Sequence, residues 1–266
     1  MILRDADRML AMMDNSPYRF VVEQGYRDIP DHLNVHRTFF TENLKHFLAG
    51  LHVLYKKFDT LDNFCRATGA ADSEFPAWKL AENINIILAD ANNGNTDSRC
   101  LPLNTNQTAL KRLNMALRWL VRNDGIVDLG VWKSLTPAQL FIPLDVHVAN
   151  VSRDLGLLSR KSNDRKAVIE LTERLRKFRP DDPVYYDYAL FGIGVTGRRG
   201  GAVITGFFRT ILSHEKCTCL GVWNSHFDCS GIHFSSENDS VCFPCNGRFG
   251  TDWRFHRTAD NRYHQR

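Results

Sequence analysis

The sequence predicts an all-α fold for residues 1–196 and an irregular tail for residues 197–266. Two observations support the all-α class. In the first part, apolar residues recur three or four positions apart over several segments, which is the periodicity of an amphipathic helix. No segment shows the sustained alternation of apolar and polar residues that is typical of a half-buried strand. The tail holds eight glycines and five of the seven cysteines, so we predict loops and short strands there, or poorly ordered chain.

Five helices follow from this periodicity. In chain order they span Thr41–Phe58, Phe75–Ala91, Ala109–Val121, Asp164–Phe178 and Tyr185–Val195. The third is apolar on more than one face, which predicts a buried central helix. The last follows Asp181, Asp182 and Pro183, residues that favour a turn and the start of a helix.

The composition is typical of a soluble globular protein. The chain has 266 residues, of which 43% are hydrophobic and 24% charged, enough for one large domain or two small ones. No apolar run approaches the roughly 20 residues that a membrane helix needs, and the N-terminal segment lacks the apolar core of a signal peptide. We therefore expect a cytoplasmic protein with no membrane partner. The sequence does not predict its oligomeric state.

A basic stretch from Arg153 to Arg179 dominates the charge distribution. The net charge of +4 is too small to argue for nucleic-acid binding by itself. The stretch nevertheless carries nine cations, namely Arg153, Arg160, Lys161, Arg165, Lys166, Arg174, Arg176, Lys177 and Arg179. Such a stripe either faces phosphates or forms a solvated helix face, and the sequence alone favours the solvated face.

The tail cysteines offer a zinc site as an alternative. Cys217 and Cys219 form one close pair, and Cys242 and Cys245 form another, and structural zinc takes four such ligands in a tetrahedron. The first pair, however, has C-x-C rather than C-x-x-C spacing, and Cys229 is left over. Free thiols are therefore the favoured interpretation, and we expect no metal and no cofactor.

Asp145 stands at the start of a predicted helix, directly after the run Ile142-Pro143-Leu144. One interpretation is a plain N-cap, in which the carboxylate accepts the free amides of the first turn. The other is a carboxylate held rigidly near a reaction site, where it stabilises a cation or accepts a proton. The cap is favoured for a single aspartate so placed. His147 does not share the helix face of its neighbour, so we expect it to have a structural role.

Lys111 lies in the first turn or so of the predicted helix Ala109–Val121. The positive end of the helix dipole and the neighbouring Arg112 both favour a neutral amine, which is the form that a Schiff-base lysine requires. The alternative is a lysine that simply points to solvent, and without further information that alternative is favoured.

Four runs of residues resemble an uncharacterised bacterial family, domain of unknown function 2400. They are Leu113–Arg122, Pro143–His147, Leu155–Leu158 and Asp182–Gly192, within a similarity that extends from about Leu3 to Val195. That family is in turn remotely similar to the helix-hairpin-helix DNA glycosylases of the endonuclease III and oxoguanine glycosylase class. The link is the run Pro143–Val148, because these glycosylases carry a similar V-D-T-H or V-D-V-H run whose aspartate is essential.

The resemblance implies a helix-hairpin-helix, glycosylase-like fold for residues 1–196 and base excision on damaged DNA. Lys111 matches the catalytic lysine that begins the helix before the aspartate-containing run. It would attack C1′ of the sugar and form a Schiff base, with Asp145 as base and electrostatic stabiliser, after the target base has left the stack. The expected DNA contacts are Arg153, Arg160, Lys161, Arg165 and Lys166.

The chain departs from the glycosylase pattern in three places. The hairpin segment Leu103–Thr108 lacks the glycine-x-glycine turn whose amides meet a DNA phosphate. The segment Asn123–Phe141 makes the interval between Lys111 and Asp145 longer than in endonuclease III. The four-cysteine iron–sulfur pattern of endonuclease III is absent.

The ends depart from the uncharacterised family as well. Its members usually extend by several dozen residues before the point that matches Ile2, and they stop soon after the match to Val195. We therefore expect an N-terminal truncation and a tail from a truncated or frameshifted reading frame. The first prediction is a glycosylase and lyase, and the alternatives are a non-catalytic DNA- or protein-binding helical module and an inactive fragment.

Overall fold

The computed structural model describes residues 2–96 and 99–196, and this part of the chain is mostly helical. The predicted all-α class is confirmed at the level of secondary structure. The predicted tail, with its glycines and the four cysteines of the zinc alternative, lies outside the described residues. Within the described ranges, no helix is long and apolar enough to cross a membrane.

The described ranges contain nine α-helices. They are α1 (Ile2–Met12), α2 (Pro17–Val22), α3 (Thr41–Phe58), α4 (Leu61–Ala67), α5 (Pro76–Ala91), α6 (Lys111–Val121), α7 (Val146–Asp154), α8 (Arg165–Phe178) and α9 (Asp187–Thr196). Short 3₁₀ turns lie at Gly25–Asp28, Thr105–Gln107 and Pro137–Gln139. The five helices predicted from periodicity correspond to α3, α5, α6, α8 and α9, with ends that differ by at most two residues.

The helix starts agree with the prediction because local chemistry determines them. Asp145 caps α7 by accepting the amide of Val148 at 2.8 Å, and Asp164 caps α8 by accepting the amide of Ala167 at 3.1 Å. Pro76 stands in the first turn of α5, where its missing N–H leaves no hydrogen bond unmade. Each of these signals lies within a few residues of the helix it starts.

A small antiparallel sheet was missed by the periodicity argument. It pairs β1 (Asn34–His36) with β2 (Phe39–Phe40). Strands of three and two residues are too short to show an alternating pattern. Helix α1 is tied to this sheet by Asp5, whose Oδ2 lies 2.7 Å from Nδ1 of His36.

Two clusters of buried apolar side chains hold the helices together. The smaller cluster lies among α2, α3 and β1, and it includes Val21 and Val35. The larger cluster draws on α3 to α9, and its fully buried members include Trp78, Ile142 and Leu171. Burial of a side chain of this size contributes about 1.5–3 kcal/mol, so the larger cluster is the main source of stability for the helices α4 to α9.

Helix α6 buries one face only, so the prediction of a helix buried on more than one face was wrong. Its fully buried residues are Asn114, Leu117, Arg118 and Val121, whereas Lys111, Arg112 and Trp119 are exposed. The buried face includes polar side chains because acidic partners meet Arg118 inside the protein.

Helices α7 and α9 approach each other closely at Gly194. A Cβ atom added to Gly194 would lie 2.7 Å from Cβ of His147 and 3.1 Å from its backbone. On the neighbouring turn of α9, Phe191 packs edge-on against the His147 ring, with centroids 5.8 Å apart. This packing holds the first turn of α7, and the Asp145 cap with it, against α9.

Replacement of Gly194 by alanine should therefore destabilise the protein by about 1–3 kcal/mol, because the added methyl group meets backbone that has no room to move. Chemical unfolding followed by circular dichroism measures the change. Gly192→Ala is the matched control on the same helix, since a Cβ there has no neighbour within 4 Å, and it should be neutral or stabilising by up to about 1 kcal/mol. Equal effects of the two substitutions would contradict the close packing.

Candidate active site

The first residue of α6 and the N-cap of α7 lie side by side. Nζ of Lys111 is 3.3 Å from Oδ2 of Asp145, although 34 positions separate the two residues in the chain. The Lys111 side chain is 49% exposed and that of Asp145 only 9%. The structure therefore brings the two predicted catalytic residues together, with the amine on the accessible side of the pair.

The two oxygens of Asp145 have different partners. Oδ1 accepts the Val148 amide and caps α7, and Oδ2 accepts a hydrogen bond from Lys111. The cap interpretation is thus confirmed, and the same carboxylate is also placed against a lysine amine.

A buried leucine directs the chain into α6. Leu110 adopts the left-handed conformation, with φ of 47°, immediately before Lys111, and its side chain is 4% exposed. A non-glycine residue in this region costs roughly 1 kcal/mol, which the burial of the leucine side chain offsets. The indole Nε1 of Trp78 also donates to the carbonyl of Thr108 at 2.9 Å. The buried side chain of Leu110 and the hydrogen bond from Trp78 to Thr108 therefore hold the turn that places Lys111 at the start of α6.

A polar stripe on α6 leads from this site into the interior. Lys111, Asn114 and Arg118 recur at positions i, i+3 and i+7, which places them on one face of a helix. Asn114 and Arg118 are 1% and 2% exposed. Neither residue was among the predicted site residues, although polar side chains at helical spacing among apolar ones were a usable signal.

Two arginines of α6 enter a buried ionic network. Arg118 donates from Nη1 to Oδ2 of Asp187 at 2.8 Å and lies 3.4 Å from the carboxylate of Asp128. Arg122 forms a bidentate contact with Asp182 at 3.0 Å and 2.9 Å and a further contact with Asp128. These five side chains are mutually paired, as buried charges must be.

Asp187 is the most perturbed carboxylate of this network. Burial raises the pKa of Asp187 to about 6, while the adjacent Arg118 guanidinium acts in the opposite direction. The charges of Asp145 and Asp128 add to the increase. Burial and these acidic neighbours therefore favour the neutral carboxyl of Asp187.

His147 packs against an aromatic ring and not against the carboxylate beside it in sequence. Its ring is half-buried and meets Phe191. Among the described residues, no hydrogen bond joins His147 to Asp145. This arrangement agrees with the structural role expected for His147.

Three of the five predicted DNA contacts have intramolecular partners. Arg153 donates to the carbonyls of Arg160 and Lys161, each at 2.8 Å. Arg160 donates to both oxygens of Asp164, and this hydrogen bond lowers the pKa of Asp164 to about 2. Arg165 lies over the ring of Phe75 at 4.7 Å. These guanidinium groups hold loops and helix ends in place.

The two lysines among the predicted DNA contacts are available to a partner. Lys161 and Lys166 are exposed, and neither side chain has a hydrogen-bond or ion-pair partner in the described part of the chain. Lys166 borders a shallow cleft of about 370 Å³, together with Asn106, Gln107, Arg160 and Asp164. This cleft lies between the start of α8 and the 3₁₀ turn Thr105–Gln107 that precedes α6.

No metal site is found in the described ranges, where no three His, Cys, Asp or Glu side chains are grouped to hold an ion. Cys65 is a buried free thiol there. Burial raises the pKa of Cys100 to about 12, which keeps that thiol protonated and unreactive at neutral pH.

The described structure falls within a family match. A family model described as a protein of unknown function, DUF2400, matches residues 1–196. The chain belongs to this family. The predicted resemblance to DUF2400 is therefore confirmed, and the matched region contains both Lys111 and Asp145. No curated protein and no solved structure matches the chain.

The double role of Asp145 predicts that its two replacements differ in stability. Asp145→Ala removes the cap and should cost about 1–2 kcal/mol, whereas Asp145→Asn retains a good capping side chain and should cost less than about 0.5 kcal/mol. Urea unfolding of the two variants measures the difference. If asparagine were as destabilising as alanine, the charge and not the cap would be the stabilising element.

The raised pKa of Asp187 predicts a stability that falls with pH. The folded-state pKa of Asp187 is about 6 and exceeds the ordinary value of 3.8. Between these pH values, the carboxyl therefore holds a proton in the native state more often than in the unfolded state. The stability of the protein is lost as pH rises through this range. Asp187→Asn removes that loss. The free energy of unfolding of the variant minus that of the wild type should increase by on the order of 1 kcal/mol between pH 5 and pH 7.5.

Urea unfolding at the two pH values tests this dependence. The exposed Asp90 provides the matched control, because Asp90→Asn removes a carboxylate from the surface and should leave the difference unchanged with pH. A constant difference for Asp187→Asn would mean that the carboxyl does not titrate in this range.

Proposed function

We propose that this protein is a helix-hairpin-helix, glycosylase-like enzyme that excises damaged bases from DNA through a Schiff base on Lys111, with Asp145 as the assisting carboxylate. The observation that carries the proposal is the 3.3 Å contact between Nζ of Lys111 and Oδ2 of Asp145. A nucleophile within hydrogen-bond reach of a rigidly held base is the usual arrangement for covalent catalysis. The lysine begins one helix and the aspartate caps another, as the resemblance to the glycosylases implies.

The proposed reaction follows from these two groups. Asp145 accepts the proton that Nζ of Lys111 loses, and the neutral amine forms a bond to C1′ of the sugar. The bond between C1′ and the base breaks, its electron pair leaves with the base, and the proton that Asp145 holds passes to the base. The bond from C1′ to the ring oxygen then opens, and the substituted ammonium passes a proton to that oxygen, which gives a protonated imine. Loss of a C2′ proton to solvent and departure of the 3′ phosphate cleave the strand. Water then hydrolyses the imine to an aldehyde and frees Lys111.

The surroundings of the pair support this role for Asp145. Its side chain is largely buried and its orientation is fixed by the Val148 amide, so little reorganisation is needed when the lysine changes charge. The exposed fraction of Lys111 leaves its amine accessible to a sugar carbon. On this proposal, Lys161 and Lys166 contact the phosphate backbone.

The test is borohydride trapping on duplex DNA. The full chain is incubated with a duplex that contains one abasic site or one oxidised purine, and sodium borohydride then reduces any imine to a stable adduct. We expect an adduct with the wild type, none with Lys111→Ala, and at least a tenfold slower one with Asp145→Asn. Lys79→Ala, at an exposed lysine of α5, is the matched control and should trap normally.

The same samples distinguish the alternative functions. Salt-dependent binding to DNA without any adduct would favour the non-catalytic module, because binding through phosphates needs no Schiff base. Neither binding nor adduct, with a folded protein, would contradict the proposal and favour the inactive fragment. An adduct that persists in Lys111→Ala would assign the chemistry to another amine.

A further inference from the structure

We propose that Asn114 is a positioning residue for Lys111: its side-chain amide closes the turn from which α6 begins and so holds the lysine against Asp145. This role rests on the proposed function, which gives the Lys111–Asp145 pair its meaning. The polar stripe of α6 thus has a member that acts on the backbone before the helix and not on the ionic network.

The three residues before α6 have their carbonyl groups occupied one after another. The carbonyl of Thr108 accepts a hydrogen bond from the indole of Trp78 at 2.9 Å. The carbonyl of Ala109 accepts one from Nδ2 of Asn114 at 3.0 Å, and the carbonyl of Leu110 accepts one from the backbone N–H of Asn114 at 2.9 Å. Asn114 therefore binds two of the three peptide units that lead into the helix.

The hydrogen bond from the side chain is not part of the regular helix. The backbone N–H of Asn114 takes the usual partner four residues earlier, whereas Nδ2 reaches one residue further back, past Leu110. Leu110 is the residue with positive φ at this turn, and it makes no side-chain cap hydrogen bond as the N-cap of α6. The amide of Asn114 therefore takes the place of a cap in fixing this end of the helix.

Burial of the Asn114 amide is unfavourable apart from this hydrogen bond. The residue is 1% exposed, and Oδ1 has no hydrogen-bond partner in the described part of the chain. A buried acceptor without a partner lowers stability, and an apolar side chain of similar size would avoid that loss. Core packing therefore does not account for an amide at this position, whereas the bond from Nδ2 to the carbonyl of Ala109 does.

The turn sets the distance between the two site residues. Lys111 is the first residue of α6 and directly follows the turn, and its Nζ lies 3.3 Å from Oδ2 of Asp145. Asp145 is held separately, because its Oδ1 accepts the amide of Val148. Loss of the bond from Asn114 would free the peptide units before α6, and the lysine would then no longer be held at contact distance from the carboxylate.

Carbodiimide cross-linking of the full-length chain tests this role without DNA. A water-soluble carbodiimide joins a carboxylate to an amine in contact with it, and peptide mass spectrometry measures the amide formed between Lys111 and Asp145. The exposed pair Lys45–Asp31, at 2.7 Å, is the internal reference in the same sample. Relative to this reference, the cross-link should fall about threefold or more in Asn114→Leu, which keeps a side chain of similar size but lacks the donor.

Two further variants separate this effect from a general loosening of α6. Asn114→Ala should lose the cross-link to the same extent, and it decides the test if Asn114→Leu fails to fold. Val121→Ala removes buried apolar volume from the same helix, two turns further on, and should leave the cross-link within a factor of about 1.5 of the wild type. Wild-type cross-linking in the Asn114 variants would overturn the proposal, as would an equal loss in Val121→Ala.

Borohydride trapping adds a functional measurement. Asn114→Leu should bind the abasic duplex as tightly as the wild type and form the adduct about tenfold more slowly, because it changes the placement of the amine and not the DNA contacts. A wild type that cross-links but does not trap would refute the proposed function and leave the role of Asn114 in the turn intact. A wild type that couples only the reference pair would overturn the inference without any substitution.

Discussion

The mutual pairing of Arg118 and Arg122 with three buried aspartates is the constraint on which the arrangement of the helices α6 and α9 depends. A buried ion without a partner costs several kcal/mol, so an arrangement that leaves any of these groups unpaired is strongly disfavoured. The pairing specifies one register of α6 against α9 and against the segment that holds Asp128. Apolar packing alone tolerates small shifts between helices, whereas paired charges at distances near 3 Å do not.

Helix α6 therefore has two ends with different environments. At its C-terminal half, Arg118 and Arg122 are almost fully buried, and at its first residue Lys111 is half exposed. Such a helix is anchored at one end and presents a reactive group at the other. A site built on helix ends of this kind is held more rigidly than a site on loops, and Asp145, fixed by its cap hydrogen bond, meets the same requirement from α7.

The sequence predicted six of the nine described helices and two candidate site residues, but not α1, α2 and α4 or the contacts that connect the helices. The starts of α7 and α8 follow from Asp145 and Asp164, because a cap acts on amides three residues away. The contact between Lys111 and Asp145 depends on tertiary packing across 34 positions, and no local pattern encodes it. Asp187 resembled an ordinary residue at the start of a helix, because an acidic residue there is common and its burial follows only from the position of Arg118.

The backbone conformation and the burial of Leu110 restrict, in different ways, which residue types this position can hold. Its backbone favours glycine or asparagine, because φ is positive, and its side chain fills a place in the core that those residues would leave empty. Glycine would relieve the turn but create a cavity, and a branched aliphatic residue would fill the cavity at a higher conformational cost. Single substitutions at this position therefore all carry a penalty. A glycine at this position therefore relieves the backbone only if neighbouring core residues change at the same time to fill the cavity.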